Sequence, residues 1–205
     1  MIKNLIFDFG NVVIKFIPDY MISKVTDDPA THAALKQAVY GSGRFEETDR
    51  GFITAQQHKK MVCAEIPSYM HAAAETLIDT WYLNLPVWDG MEQLLNDAKK
   101  AGYKLFLLSN INIQFSENRD KVEILKMFDG VQLSSDIKHV KPEPEIYNSL
   151  LSRYDLKAEE CLFVDDRPIN IDGGENVGIK GYLFDGNTDK LRNFINTCDN
   201  MAYTL

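Results

Sequence analysis

Cysteine is scarce in this sequence. The three residues, Cys63, Cys161 and Cys198, are odd in number and far apart, with no C-x-x-C pair. That argues against a disulfide framework or a zinc knuckle and fits a reducing cytoplasm. Long apolar runs are missing too. Nothing approaches the ~18 consecutive apolar residues of a membrane span. The opening run around Leu5-Ile6-Phe7 is broken by Asp8 too soon to read as a signal peptide. Positive charge is in deficit, with 22 Lys and Arg against 30 Asp and Glu for a net charge of -8. Nucleic-acid binding needs a basic footprint that displaces counterions, so neither nucleic acid nor a membrane is expected as a partner. His32, His58, His71 and His139 lack metal-ligand spacing. The first three are expected at the surface, and His139 is close enough in sequence to Lys141 to border a site. Repeats and low-complexity segments are absent. With 45% hydrophobic and 25% charged residues, what remains is an ordinary globular chain, large enough for one core and a smaller companion.

Short apolar runs of strand type recur along the chain. They are Leu5-Ile6-Phe7, Lys104 to Leu108, Val131-Gln132-Leu133, Leu162-Phe163-Val164 and Gly181 to Phe184. Helical stretches alternate with them: Gly90 to Lys100, Gln114 to Met127, Glu143 to Arg153 and Pro168 to Asn176. Strands apolar on both faces, alternating with helices, predict an α/β fold with a parallel sheet covered by helices. Residues 16–86 break that rhythm and read as mostly helical: Ala33 to Tyr40, Thr54 to Cys63 and Ser68 to Trp81. Thr54 and Gln57 form a capping-box pattern at the start of one of these helices. The expectation is therefore a core domain, residues 1–15 and 87–205, interrupted by a helical cap domain, residues 16–86.

In a parallel α/β sheet, function gathers beyond the carboxyl ends of the strands. Four of those ends carry Asp8, Ser109-Asn110, Ser134-Ser135-Asp136 and Asp165-Asp166, with Lys141 following the third. A single strand-end Asp is often only a turn or helix cap. Four such ends together make chemical sense as a phosphoryl-transfer site. Asp8, Asp165 and Asp166 would repel one another without a cation, and a hard, oxygen-liking ion such as Mg²⁺ relieves that repulsion. Asp8 can then attack phosphorus. Ser109, with Asn110 beside it, can hold a phosphoryl oxygen, and Lys141 can neutralise developing charge. The backbone of the Gly10-Asn11 turn adds N–H donors.

The order and spacing of these pieces resemble the haloacid dehalogenase superfamily of hydrolases. The matching pieces are Phe7-Asp8-Phe9-Gly10-Asn11-Val12, Leu108-Ser109-Asn110, Lys141-Pro142-Glu143-Pro144-Glu145-Ile146-Tyr147 and Phe163-Val164-Asp165-Asp166. The resemblance implies a doubly wound, Rossmann-like sheet with a helical cap inserted between the first two pieces. It implies Asp8 as nucleophile and Asp166 as direct metal ligand. Asp165 would be a further acidic ligand or a group behind the ligands, and the Gly10 carbonyl would complete the protein's share.

One position departs from the pattern. Phosphatases of this family usually carry a second Asp two residues after the nucleophile, as general acid and base, and here Gly10 stands there. Gly10 cannot deliver a proton. A water, the substrate or a cap residue could do that work in a phosphatase. Alternatively the chain is a dehalogenase, whose subfamily also lacks that Asp, or it binds phosphate ligands without catalysis. The run Asp8-Phe9-Gly10-Asn11-Val12-Val13 looks like a variant found in helical-cap sugar-phosphate phosphatases. Asp165-Asp166 keeps an acidic metal site that a dehalogenase does not need. The favoured expectation is a Mg²⁺-dependent phosphatase acting on a small phosphorylated metabolite of the sugar-phosphate kind, through an aspartyl-phosphate. The loop from Tyr40 to Glu47, with Arg44 as its substrate-reaching cation, is the expected specificity element. Trp81, Tyr82 and Trp88 read as core packing near the return hinge. Asn112 and Asn170 are further candidates, Asn170 resembling a position that supports a metal's water shell, and Arg167 either anchors the loop or reaches substrate. Monomer and homodimer are both open.

Overall fold

The computed structural model describes residues 1–41, 43–83 and 85–198, with the side chains of residues 44 and 45 outside the described set. Five strands, β1 (Asn4–Phe7), β2 (Lys104–Ser109), β3 (Gly130–Leu133), β4 (Cys161–Asp165) and β5 (Lys180–Leu183), form one sheet in the order β3-β2-β1-β4-β5. Every pairing is parallel. Successive residues of β1 point to opposite faces: Leu5 and Phe7 join one apolar cluster, and Ile6 joins another with Phe163 and Phe106. Both faces are therefore buried, which explains why the strands read as continuous apolar runs rather than alternating ones.

Helices cover both faces. Between β1 and β2 run α1 (Pro18–Ile22), α2 (Pro29–Leu35), α3 (Arg44–Asp49), α4 (Ala55–Cys63), α5 (His71–Thr80) and α6 (Met91–Lys100). Later come α7 (Ile113–Asn118), α8 (Ser134–Ile137), α9 (Pro144–Arg153), α10 (Pro168–Glu175) and α11 (Thr188–Cys198). The inner faces of α6 and α11, with Leu94, Leu95, Leu191 and Ile195, pack on the Leu5 and Phe7 side. α9 and α10 cover the other face through Ile146, Tyr147, Leu150 and Ile171. The helices α1, α2, α4 and α5 share the first cluster through Ile22, Leu35, Val62 and Leu77, with Trp81 just past the end of α5. Their joint with the sheet is aromatic. Phe115 of α7 lies 5.1 Å from Phe9, 5.8 Å from Trp81 and 5.8 Å from Tyr82, between ring centroids.

Local sequence explains several boundaries. The capping box at Thr54 forms with both of its bonds, the Thr54 side chain accepting from the Gln57 backbone and the Gln57 side chain from the Thr54 backbone. The helix expected from Gln114 to Met127 is not continuous. α7 stops at Asn118, whose side-chain amide donates to the Gln114 carbonyl at 2.9 Å and competes with the helical ladder. Short 3₁₀ turns, Arg119–Lys121 and Glu123–Met127, follow, separated by Val122 in an extended conformation. The segment expected as a loop from Tyr40 to Glu47 turns helical at Arg44. Ser134-Ser135-Asp136, expected only as a strand end, form the single turn of α8. His58, expected at the surface, is buried, because it falls on the inner face of α4 with Val62. Among the described residues no helix is long and apolar enough to cross a membrane.

Candidate active site

The sheet register assembles the site. Phe7 is level with Leu107 on one side and Val164 on the other, so the carboxyl ends of β1, β2 and β4 deliver Asp8, Ser109 and Asp165 to one place. β1 is the central strand, next to the point where strand order reverses, the usual position for a binding crevice. An open cleft of about 960 Å³ lies there, floored by Asp8, Ser109 and Lys141 and walled on the helical side by Glu46, Glu47 and Asp49.

Lys141 is the hub. Its Nζ lies 2.8 Å from Asp8 Oδ1 and 2.7 Å from Asp165 Oδ2, with its side chain 1% exposed. The Asn110 side chain fixes the Lys141 backbone at both ends, its Nδ2 donating to the carbonyl at 3.1 Å and its Oδ1 accepting from the N–H at 2.7 Å. Asn110, expected to touch substrate, lines the cleft, and its amide also places Lys141. Ser109 Oγ donates to Asp8 Oδ1 at 2.8 Å. Both side-chain contacts to Asp8 thus fall on Oδ1 and neither on Oδ2.

Asp165 is fully buried. Its Oδ2 takes Lys141 and its Oδ1 accepts from the Arg167 backbone at 2.9 Å, while Asn170 Nδ2 donates to both oxygens at 3.0 and 3.2 Å. Both Asp165 oxygens are thus taken up by neighbouring donors. Asp166 is half-buried and lines the cleft, with Asn11 hydrogen-bonded to it. Asn11 adopts a left-handed conformation, φ 58°, which Asn tolerates better than most residues, and its Oδ1 also accepts from the Phe16 backbone at 3.2 Å. Gly10 and Arg167 line the cleft, and Asn170 reaches it from α10. The Arg44 side chain lies outside the described residues. Asn112 caps α7 by accepting from the Phe115 N–H at 3.0 Å. His139 pairs with Glu143 at 3.1 Å and is not part of the cleft wall.

The electrostatics follow from one cation shared by several acids. Burial pushes the Asp8 carboxyl up to about 6, with Lys141 pulling it down and Asp165 pushing it further up. Burial alone would lower Lys141, but Asp8 and Asp165 outweigh it and hold the ammonium above its usual range. Burial and the Asp165 charge raise Asp166. Asp8, Asp165 and Asp166 bring carboxylate oxygens within 4.8 Å of one another. This is an all-oxygen donor set with excess negative charge, and it fits a hard divalent cation of the Mg²⁺ kind.

Sequence reasoning missed Asp49. It ends α3 on the cleft wall, and its Oδ1 is buried without a hydrogen-bond partner. Its helix starts inside the stretch expected as a loop and runs two residues past Glu47, so no periodicity pointed to the burial of its Oδ1.

A parallel sheet of this order, with acids and a lysine gathered at successive strand ends, defines an α/β enzyme with a carboxylate-rich site. The chain belongs to the haloacid dehalogenase-like hydrolases, whose family model matches residues 2–178. It is 26% identical over 204 residues to a D-ribitol-5-phosphate phosphatase of Bacteroides thetaiotaomicron, covering 92% of this chain and 95% of that one. It is 35% identical to the pyrophosphatase PpaX of Bacillus mycoides over 94 residues, which is 45% of this chain and 44% of that one. Among solved structures, a HAD family enzyme from Bacteroides thetaiotaomicron in complex with magnesium and inorganic phosphate superposes with a TM-score of 0.68. That match has 24% identity and covers 89% of this chain and 94% of that one. The L-2-haloacid dehalogenase of Xanthobacter autotrophicus superposes with a TM-score of 0.65 at 16% identity, covering 98% and 85%. At these identities the two superpositions speak to the fold.

Proposed function

We propose that the protein is a Mg²⁺-dependent phosphatase that hydrolyses a small phosphomonoester, of the sugar- or polyol-phosphate kind, through an aspartyl-phosphate on Asp8. The observation that carries this reading is the Asp8 carboxylate, pinned through Oδ1 by Lys141 and Ser109 at 2.8 Å each, on the floor of an open cleft. Pinning one oxygen aims the other at an incoming phosphorus. Lys141 and Ser109 are placed to take up charge on the phosphoryl oxygens as it develops. Asp8, Asp166 and the Gly10 carbonyl would hold the Mg²⁺, with Asp165 and Asn170 bracing them from behind. When bound, the ion screens the carboxylates from the phosphate and draws charge from its oxygens. Asn110 serves by setting Lys141. Residues 16–86 act as a cap over a core of residues 1–15 and 87–205, and Glu46 and Glu47 offer acceptors to substrate hydroxyls. The full-length kinship with a D-ribitol-5-phosphate phosphatase supports a polyhydroxylated substrate.

Gly10 favours a second reading, hydrolysis at a carbon–halogen bond, which requires no acid at that position. Asp166, lining the cleft as a further carboxylate, weighs against it, because carbon-centred attack gains nothing from a metal ligand there. The test is phosphate release from a panel of sugar and polyol phosphates, with Mg²⁺, with EDTA, and with Asp8→Asn. Turnover that needs both the ion and Asp8 is the expected result. Halide release from 2-haloacids in EDTA, with no phosphate release, would reverse the assignment.

A further inference from the structure

The reaction just proposed has a gap: a sugar or polyol leaves as an alkoxide, which needs a proton, and Gly10 has none to give. We propose that Asp49, at the end of α3, is the general acid that protonates the leaving group and then the base that activates the hydrolytic water. This rests on the phosphatase reading.

Three observations carry it. First, Asp49 lines the same cleft as Asp8, from the opposite, helical wall. Second, its Oδ1 is buried and has no hydrogen-bond partner. A buried, unsatisfied carboxyl oxygen is unfavourable, and natural structures keep few of them without a use. Third, the chain around it is fastened to the sheet side at three successive residues. Ser134 Oγ donates to the Asp49 carbonyl at 2.6 Å, Arg50 pairs with Glu143 at 2.7 Å, and the Lys138 ammonium donates to the Gly51 carbonyl. Ser134 also accepts from the Ile111 N–H at 2.8 Å, just past the end of β2. The carboxyl is thus held in register with the strand ends by a helix far away in sequence. Its protonation state agrees with the role. Burial, with the Asp8 and Glu46 charges adding and Lys141 opposing, holds Asp49 well above the usual carboxylate range, so it keeps a proton to donate.

The steps balance. As Asp8 Oδ2 bonds to phosphorus, the bond from phosphorus to the leaving oxygen breaks, and the Asp49 proton moves to that oxygen, releasing the alcohol. The Asp49 carboxylate then takes a proton from water as that water attacks phosphorus. The bond from phosphorus to Asp8 breaks, leaving phosphate, an Asp8 carboxylate and a reprotonated Asp49.

The experiment compares a poor leaving group with a good one. First-turnover rates are measured for an alkyl phosphate and for p-nitrophenyl phosphate, with Mg²⁺, for the wild type, Asp49→Asn and Asp49→Asn with Gly10→Asp. A general acid contributes about 10²- to 10⁴-fold. Asp49→Asn is expected to lose about that factor on the alkyl phosphate. Its release of the first nitrophenolate stays within about tenfold, because that leaving group needs no proton. Nitrophenolate then appears as a burst of one equivalent, since the phosphoenzyme lacks its base. Gly10→Asp restores alkyl turnover; a Cβ there meets nothing nearer than Phe16 Cβ at 3.9 Å, so the backbone has room for one. An equal loss on both substrates in the folded variant, or unchanged alkyl turnover, overturns the role of Asp49. A wild type that turns over neither substrate overturns the phosphatase reading, and this inference with it.

Discussion

Replacing Lys141 by Met is the sharpest perturbation of the site's architecture. The side chain keeps its length and loses its charge. Lys141 is 1% exposed, and its two partners, Asp8 and Asp165, are 11% and 0% exposed at distances of 2.8 and 2.7 Å. Removing one member of a buried ion pair typically costs about 3–5 kcal/mol, because the remaining charge is left uncompensated. For a chain of 205 residues each kcal/mol moves Tm by about 2–4 °C, so a fall of about 6–20 °C is expected. The pH dependence is diagnostic. Burial already pushes the Asp8 carboxyl up to about 6 in the folded protein, from an ordinary 3.8. Without Lys141 the main pull opposing burial is gone, and the carboxyl climbs further. A carboxyl raised on folding stabilises while protonated, and that contribution is lost as pH rises through its folded value. The deficit of Lys141→Met should therefore be smaller at about pH 5 than at about pH 8. Urea unfolding at the two pH values measures it. A loss under about 1 kcal/mol, or one independent of pH, refutes the shared-cation reasoning.

The metal-free protein should gain more Tm from Mg²⁺ at about pH 7.5 than at about pH 5.5, since Asp8, at about 6, and the raised Asp166 must shed protons to bind it. An equal shift at both would mean that these carboxyls are not the ligands. Asp166→Asn should weaken Mg²⁺ binding by calorimetry at least about tenfold, as losses around metal sites do; unchanged affinity would remove Asp166 from the ligand set. Trp81→Ala should cost about 3–5 kcal/mol in urea, because Trp81, 5% exposed, stacks on Phe115 and meets Phe16 at 5.9 Å where the inserted helices join the sheet. A loss below about 1 kcal/mol would show that this joint is not an anchor.

Much of this molecule was legible in its sequence because both faces of the sheet are buried. That condition writes the strands as apolar runs, and each run ends where its strand ends, at Asp8, Ser109 and Asp165. The capping box at Thr54 was equally local, and so it was found. The losses were of two kinds. Competition by one side chain, Asn118 against its own helix, broke a stretch that reads as continuous. Tertiary burial placed His58 inside and gave Asn110 and Asn112 structural partners, at Lys141 and Phe115, that no spacing announces. Asp49 combined both. Its helix is short, and its end is held by the Ser134 hydroxyl, which bonds the Asp49 backbone carbonyl from a distant part of the chain. The family resemblance marked the vacancy at Gly10 but could not say what stands opposite it.

The central claim is that Asp8 carries the phosphoryl group. Acid-quenching the enzyme during turnover of a phosphomonoester with Mg²⁺, then mapping the modified peptide by mass spectrometry, tests it most directly. The account predicts one phosphoryl group on Asp8, absent in EDTA and accumulating in Asp49→Asn. Steady turnover with Asp8 unmodified, or the label on another residue, would contradict it.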